Sequence, residues 1–271
     1  MKLRNYFELL GFRSKGKHYG YRMETFDLGD VSVNYAQWQH PSESPKQITA
    51  AMVEAYRRFL GEGDFCIDIG GHTGDSTLPM AIAAGPTGCA LAMEPNPYVY
   101  HVLEKNARAN RAVANIVTMM AAVAPQEGFL EFEYSDAGYC NGGRHENISA
   151  LTHGHPYKLE VFSVNLEREL RENFSDRLPR LRFIKVDTEG FDFYVLRSLR
   201  DVIEEFRPAI KAEVFKDTDA TYRSGMYDFL VSLGYDVFRI VAEPIEAGPH
   251  LDASNLMSPP HYDLLAVPRS P

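Results

Sequence analysis

The sequence predicts an α/β protein built on a doubly wound, mostly parallel sheet, with a small N-terminal extension. Three observations predict it. Short apolar runs alternate with segments of helical period from about residue 46 to 240. One run, Phe65-Cys66-Ile67-Asp68-Ile69, passes into the glycine-dense turn Gly70-Gly71-His72-Thr73-Gly74 and then a helix-like segment. Another, Leu181-Arg182-Phe183-Ile184-Lys185-Val186, passes in the same way into Asp187-Thr188-Glu189-Gly190. Open α/β sheets bind ligands beyond the carboxyl ends of such strands.

The elements follow in order. Residues 1–45 form an extension, with short alternating strands from Tyr21 to Tyr35 around a turn at Gly29-Asp30. Pro41 to Pro45 marks a linker, so the main domain is expected to span 46–271. A helix is predicted over 46–60, because Ile48, Met52, Ala55, Tyr56 and Phe59 recur at three- and four-residue spacing and Gly61 stops it. Strand 64–69, helix 75–84, strand 88–93, helix 97–110 and strand 115–120 come next, then a strand at 128–134. Glycines at 138, 142, 143 and 154 make 135–157 a loop. Strand 158–164 and a short helix lead to strand 181–186, helix 191–205, strand 209–214, helix 219–233 and strand 235–240. A Pro-rich loop precedes a last strand at 262–267, and this closing pair of strands reads as an antiparallel hairpin at the sheet edge.

Charge and composition narrow the function classes. A net charge of −9 and no run of Lys or Arg longer than a pair exclude a nucleic-acid substrate. The charged N-terminal stretch is no secretory segment and nothing reaches membrane-spanning length, so no membrane partner is expected. Three cysteines, two of them inside apolar strands, suit free thiols in a reducing cytoplasm; Cys140, in a Gly/Asn loop, is the one expected to be accessible. Homo-oligomerisation is left open.

The first glycine turn identifies the cofactor class. A dinucleotide fingerprint wants Gly-x-Gly-x-x-Gly, whereas here His72 and Asp75 stand where that pattern needs glycine. An acid at Asp68 is a poor neighbour for a pyrophosphate and a good one for an ammonium group. Glu94, closing the strand Gly88-Cys89-Ala90-Leu91-Ala92-Met93, suits the two hydroxyls of a ribose. S-adenosylmethionine carries both groups. The expected cofactor contacts are Asp68, Gly70, Gly71, His72, Gly74, Asp75 and Ser76 from the turn, Glu94, Pro95 and Asn96, and Asp187. With no acid after the next strand, adenine is expected against the backbone of Ala122 or Val123.

Taken together, Asp68-Ile69-Gly70-Gly71-His72-Thr73-Gly74, Glu94-Pro95-Asn96-Pro97, Ile184-Lys185-Val186-Asp187-Thr188-Glu189-Gly190-Phe191 and Arg207-Pro208-Ala209-Ile210-Lys211-Ala212-Glu213 resemble the FkbM-type S-adenosylmethionine-dependent methyltransferases over roughly residues 60–240. The resemblance implies a Rossmann-like class I methyltransferase fold, with a seven-stranded sheet whose last strand is antiparallel. It also implies methyl transfer to a hydroxyl, often on a sugar or a polyketide-like natural product, which makes a small-molecule acceptor the expected partner. Where such proteins often carry an Asp before the Lys-x-Asp strand, this chain has Asn165.

A hydroxyl acceptor needs a base, and Glu189, with Asp187 beside it, is the first candidate. His153 and His155 are the runners-up, His155 being carried as a third catalytic candidate, because imidazole titrates near neutrality. Asp187, Glu189 and Glu213 are the acids a Mg²⁺ reading would draw on, but no spacing forces it and no metal is expected. Tyr35, Trp38 and His40 either close over the acceptor as a lid or pack against the sheet. A nicotinamide-dependent oxidoreductase and a binding protein without catalysis are the rival functions.

Overall fold

The computed structural model describes residues 16–136, 138–140, 142–143 and 157–269. Strands β1 (Tyr21–Asp27) and β2 (Ser32–Trp38) form an antiparallel hairpin around the expected turn. Helix α1 (Ala50–Arg57) is shorter than its periodicity suggests, because the Thr49 side chain accepts from Met52 N–H and starts the helix there. Then come β3 (Phe65–Ile69), α2 (Thr77–Ala84), β4 (Cys89–Met93), α3 (Pro97–Ala109), β5 (Ile116–Met119), β6 (Ala122–Val123), β7 (Gly128–Tyr134), β8 (Gly142–Gly143) and β9 (Tyr157–Val164). Helix α4 (Leu166–Asn173) is capped by Asn165, whose side chain accepts from Arg168 N–H. It is followed by β10 (Leu181–Val186), α5 (Asp192–Ser198), α6 (Arg200–Phe206), β11 (Ala209–Val214), α7 (Ala220–Ser232), β12 (Tyr235–Ala242), β13 (Glu246–His250) and β14 (Tyr262–Pro268).

The main sheet runs β13-β12-β14-β11-β10-β3-β4-β5. Strands β5, β4, β3, β10 and β11 are parallel neighbours, and β14 is antiparallel to both β11 and β12. From β5 to β12 this is the expected seven-stranded sheet with an antiparallel last strand; β13 adds an eighth at the edge. The closing pair, β12 and β14, is antiparallel at this end of the sheet as expected, with β13 outside it. Strand β14 inserts between β11 and β12 because Leu264, Leu265 and Ala266 are consecutive apolar residues that need cover on both faces. The less apolar β12 is left outside it.

Strands 128–134 and 158–164 exist, but they leave the main sheet. Strand β7 pairs antiparallel with β9 in a second sheet ordered β6-β9-β7-β8. Buried and exposed residues alternate in the register of a sheet wetted on one face. The predicted helix 191–205 breaks at Leu199, which leaves helical geometry (φ −105°) so that its side chain can be fully buried.

The N-terminal hairpin is stitched to α3 rather than hinged over the sheet. Asn106 accepts from Ala36 N–H and donates to Ala36 C=O; Asn110 does the same for Asn34. These asparagines lie one helical turn apart and act as a surrogate strand for the edge of β2. Of the two readings left open for Tyr35, Trp38 and His40, the contacts here are those of packing. Tyr35 is buried with its hydroxyl 2.7 Å from Thr73 Oγ1, Trp38 packs with Val99 and Val102, and His40 Nε2 lies 3.2 Å from Asp136 Oδ1. Cys140 is buried as well, against expectation, because it packs in this same cluster.

The glycine turn is fixed by close approach between strands. Gly70 has φ +82°, and a Cβ there would sit 1.9 Å from the Asp187 carbonyl oxygen. The neighbouring ladder bond, Asp187 N–H to Ile69 C=O at 2.9 Å, prevents the strands from separating. Gly70→Ala is therefore expected to cost about 3 kcal/mol or more, from steric overlap and a disfavoured φ together. Urea denaturation measures it; a loss below about 1 kcal/mol would show that the turn can relax.

Candidate active site

At the carboxyl ends of β3, β4 and β10 lies a cavity of about 350 Å³, within the range of small-molecule sites, about 300–1,000 Å³. Its floor is the glycine turn (Ile69, Gly70, His72, Asp75, Ser76), and one wall is the Glu94-Pro95-Asn96 segment after β4. The opposite wall is the Asp187-Thr188-Glu189 turn after β10. Ala121, Ala122, Val123 and Phe132 give an apolar end.

Glu94 is buried with its carboxylate held at both oxygens. Oε2 accepts from His72 N–H at 3.0 Å and Oε1 from Asn96 N–H at 2.9 Å. Burial outweighs these bonds and pushes the Glu94 carboxyl up to about 7. Asn96 caps α3, its side chain accepting from Tyr98 N–H and donating to Tyr139 C=O.

Asp68, expected among the cofactor contacts, stands behind the wall of this cavity. Its carboxylate is fully buried and does not line the cavity. It accepts from Ser76 Oγ at 2.9 Å and Thr77 Oγ1 at 2.6 Å, and Lys185 Nζ lies 3.2 Å away. The reason is register: Lys185 and Asp68 are paired positions on neighbouring parallel strands, so both side chains rise from the same face at the same height. Gly71 and Gly74 likewise sit behind the cavity wall, where they shape the turn.

Lys185 also reaches Asp187 Oδ2 at 3.2 Å. Asp187 lines the cavity with 45% of its side chain exposed, against none of Asp68. Burial would raise the Asp187 carboxyl, but Lys185 outweighs it and holds the group below the usual carboxylate range. Glu189 lines the cavity from a backbone at φ +55°, a conformation rare for a residue with a Cβ and typical of functional turns. Burial, and then the negative charge of Asp187, push its carboxyl up to about 7.

Two residues that shape the site were not singled out from the sequence. Lys185 is one, although a lysine inside an apolar strand is itself a sign of a buried pair. Asp192 is the other. It is fully buried, and its two oxygens accept from Thr188 N–H at 3.3 Å and Gly190 N–H at 3.2 Å, which fixes the turn that presents Glu189. An Asp four residues after Thr188 at a helix start is a capping signal. His153 and His155 lie outside the described residues. Glu213 stands behind the cavity wall, 3.8 Å from His261 Nδ1. Among the described residues Asp187, Glu189 and Glu213 do not gather into a three-ligand cluster; Glu43, His72 and Cys140 do.

The donor set fits the expected cofactor. Glu94 keeps lone pairs for a vicinal diol, the apolar end suits a purine ring, and carboxylates outnumber lysines around the cavity, as a cationic ligand needs. Thr188 Oγ1, buried on the cavity wall, has no hydrogen-bond partner within the protein. No helix among the described residues is long and apolar enough to cross a membrane.

Residues 68–237 match the methyltransferase FkbM domain. Among curated proteins, Methyltransferase sdnD of Sordaria araneosa is 24% identical over 205 residues, spanning 68% of this chain and 78% of that one. Methyltransferase FkbM from Methylobacillus flagellatus KT aligns with a TM-score of 0.48 at 11% identity, covering 79% of this chain. This chain spans 50% of that protein's length. Fibrillarin from Aeropyrum pernix, solved with natively bound S-adenosyl-L-methionine, aligns with a TM-score of 0.44 at 13% identity, covering 94% of this chain and 98% of its own.

Proposed function

The chain belongs to the FkbM family of methyltransferases, whose methyl donor is S-adenosylmethionine, and on that premise we propose that it methylates a hydroxyl of a small molecule, of the sugar, glycosylated or polyketide-like kind. The observation that carries this reading is the pairing of Glu94 with Glu189 across one cavity. One carboxylate is clamped by backbone N–H groups for a diol, and the other is tuned to titrate near neutrality. Membership of the family also removes the ground for the nicotinamide alternative.

The donor supplies a methyl group already activated on a sulfonium, so the protein mainly positions and deprotonates. Glu94 receives the ribose hydroxyls, with Pro95 and Asn96 beside it. Ala122 and Val123 border the adenine, and Asp75 and Asp187 face the positive charge. His72, Gly70 and Ser76 form the floor of the same cavity. Lys185 neutralises Asp68 behind the wall, which leaves Asp187 as the carboxylate presented to the ligand. Glu189 takes the acceptor's proton as the oxygen attacks. Holding acceptor and donor in line accounts for most of the remaining acceleration.

A screen of labelled S-adenosylmethionine against sugars and glycosylated metabolites tests the reading. Methyl incorporated on oxygen supports it, and incorporation only on nitrogen or carbon refutes it. The role of Glu94 has its own signature. Ribose hydroxyls favour its ionised form, so below about pH 7 binding should release a proton and weaken. Calorimetry in buffers of different ionisation enthalpy reads that proton. Glu94→Gln should weaken cofactor binding about 10- to 100-fold, the worth of hydrogen bonds to a charged group, and abolish the proton release.

A further inference from the structure

Beside the proposed cofactor site, three donors of different chemistry converge from distant parts of the chain. Glu43 follows the N-terminal hairpin, His72 lies in the glycine turn, and Cys140 ends the segment after β7. Their ligand atoms all lie within 4.8 Å of one another. Glu43 Oε2 is 3.9 Å from His72 Nε2 and 3.8 Å from Cys140 Sγ. His72 Nε2 is buried and has no hydrogen-bond partner within the protein. The other Glu43 oxygen is taken by Lys46, at 3.1 Å, whose ammonium is also matched by Asp75 at 3.4 Å. That arrangement leaves Oε2 facing the imidazole and the thiol.

We propose that Glu43, His72 and Cys140 form a zinc site on the wall of the cavity. A carboxylate oxygen, an imidazole nitrogen and a thiolate sulfur are the ligand types of Zn²⁺, a borderline cation that accepts all three. Zinc–ligand distances of about 2.0–2.3 Å at tetrahedral angles put ligand atoms about 3.3–3.6 Å apart. The two distances from Glu43 need to close by only a few tenths of an ångström, and the His72–Cys140 pair, within 4.8 Å, by about 1.2 Å at most. Glu43 and His72 both line the cavity, so the fourth position opens toward it and holds water. Three protein ligands with one open position is the arrangement of a reactive zinc rather than a closed structural one.

The supports behind these ligands are already in place. His72 adopts φ +48°, its N–H is tied to Glu94, and the Trp38 ring stands edge-on to the imidazole at 5.8 Å. Cys140 is held through its carbonyl, which accepts from Ser135 Oγ at 2.6 Å. The same segment is anchored by Asn96 donating to Tyr139 C=O at 2.6 Å and by Asp136 accepting from Gly138 N–H at 2.7 Å. Ligands held this firmly before binding lose little freedom on coordination.

The site does not depend on the methyl-transfer reading, and its test is metal binding. The full chain, purified under reducing conditions, is assayed for metal by mass spectrometry, then stripped with a chelator and titrated with Co²⁺. One equivalent of zinc per chain is expected, and with Co²⁺ a thiolate charge-transfer band with the intense visible absorption of a tetrahedral centre. Cys140→Ser should lose the band, and His72→Gln should weaken binding roughly tenfold or more in competition with a chromophoric chelator. Substoichiometric uptake by the wild-type chain overturns the proposal. So does uptake without a thiolate band, the same in wild type and Cys140→Ser, since that would be adventitious binding by acidic residues. Should a variant fail to fold, the presence or absence of the wild-type band decides. Cofactor calorimetry on the stripped protein reports separately on the methyltransferase reading.

Discussion

Glu189→Gln is expected to lower kcat by about 10²–10⁴-fold, the usual contribution of a positioned general base, with cofactor affinity nearly unchanged. Gln keeps the size of the side chain and its place on the turn that Asp192 fixes, and it removes only the proton acceptor. The pH dependence follows from the raised carboxyl. The base works ionised, so kcat/KM should rise through about pH 7 and level off above it. The variant should lose that acid limb. Steady-state kinetics from pH 5.5 to 9, with cofactor Kd measured alongside, separate the two effects. A variant that turns over at the wild-type rate would move the base elsewhere, with His153 and His155 the next residues to replace.

Lys185→Met should produce the largest loss of stability among the substitutions at this site. Asp68 is fully buried, and among the described residues its only cation is Lys185. Removing one partner of a buried pair leaves an uncompensated charge, at a cost of about 3–5 kcal/mol. Burial would lower the Lys185 ammonium, but Asp187 and Asp68 outweigh it and hold it well above its usual value. Its stabilising effect is thus fully present below the ordinary lysine pKa and is lost only as pH rises through the raised one. The neutral range is unaffected. The double variant Lys185→Met with Asp68→Asn should recover at least half the loss, since both charges are then gone. Urea denaturation of the two single variants and the double variant closes the cycle. A single Lys185→Met variant within about 1 kcal/mol of wild type would show that Asp68 does not depend on a cation beside it.

Much of the site is legible along the chain because its components are local. A glycine that must adopt φ +82°, an acid closing the next strand and an asparagine capping the next helix are each dictated by a few neighbouring residues. Glu94, Asn96, Asp187 and Glu189 all reach the cavity from strand ends that could be placed by counting apolar runs. Asp68 shows where that reasoning stops. From the sequence it is one more acid near the turn. Inward or outward, its direction is set by the side-chain period of β3, and its occupation by a lysine more than a hundred residues away.

What the sequence alone determined, then, is the alternation of strands and helices, the place of the ligand site at their carboxyl ends and the family. Hydrophobic periodicity, turn chemistry and caps act over a few residues, and no distant contact can reverse them cheaply. The tertiary structure decided which carboxylate faces the cavity and which is buried behind its wall, the insertion of β14 beside β11, and the meeting of Glu43, His72 and Cys140. Those outcomes rest on strand register and on packing between segments far apart in the chain. Each depends on which neighbour a side chain finds once the sheet has formed, a relation that spacing along the sequence does not contain.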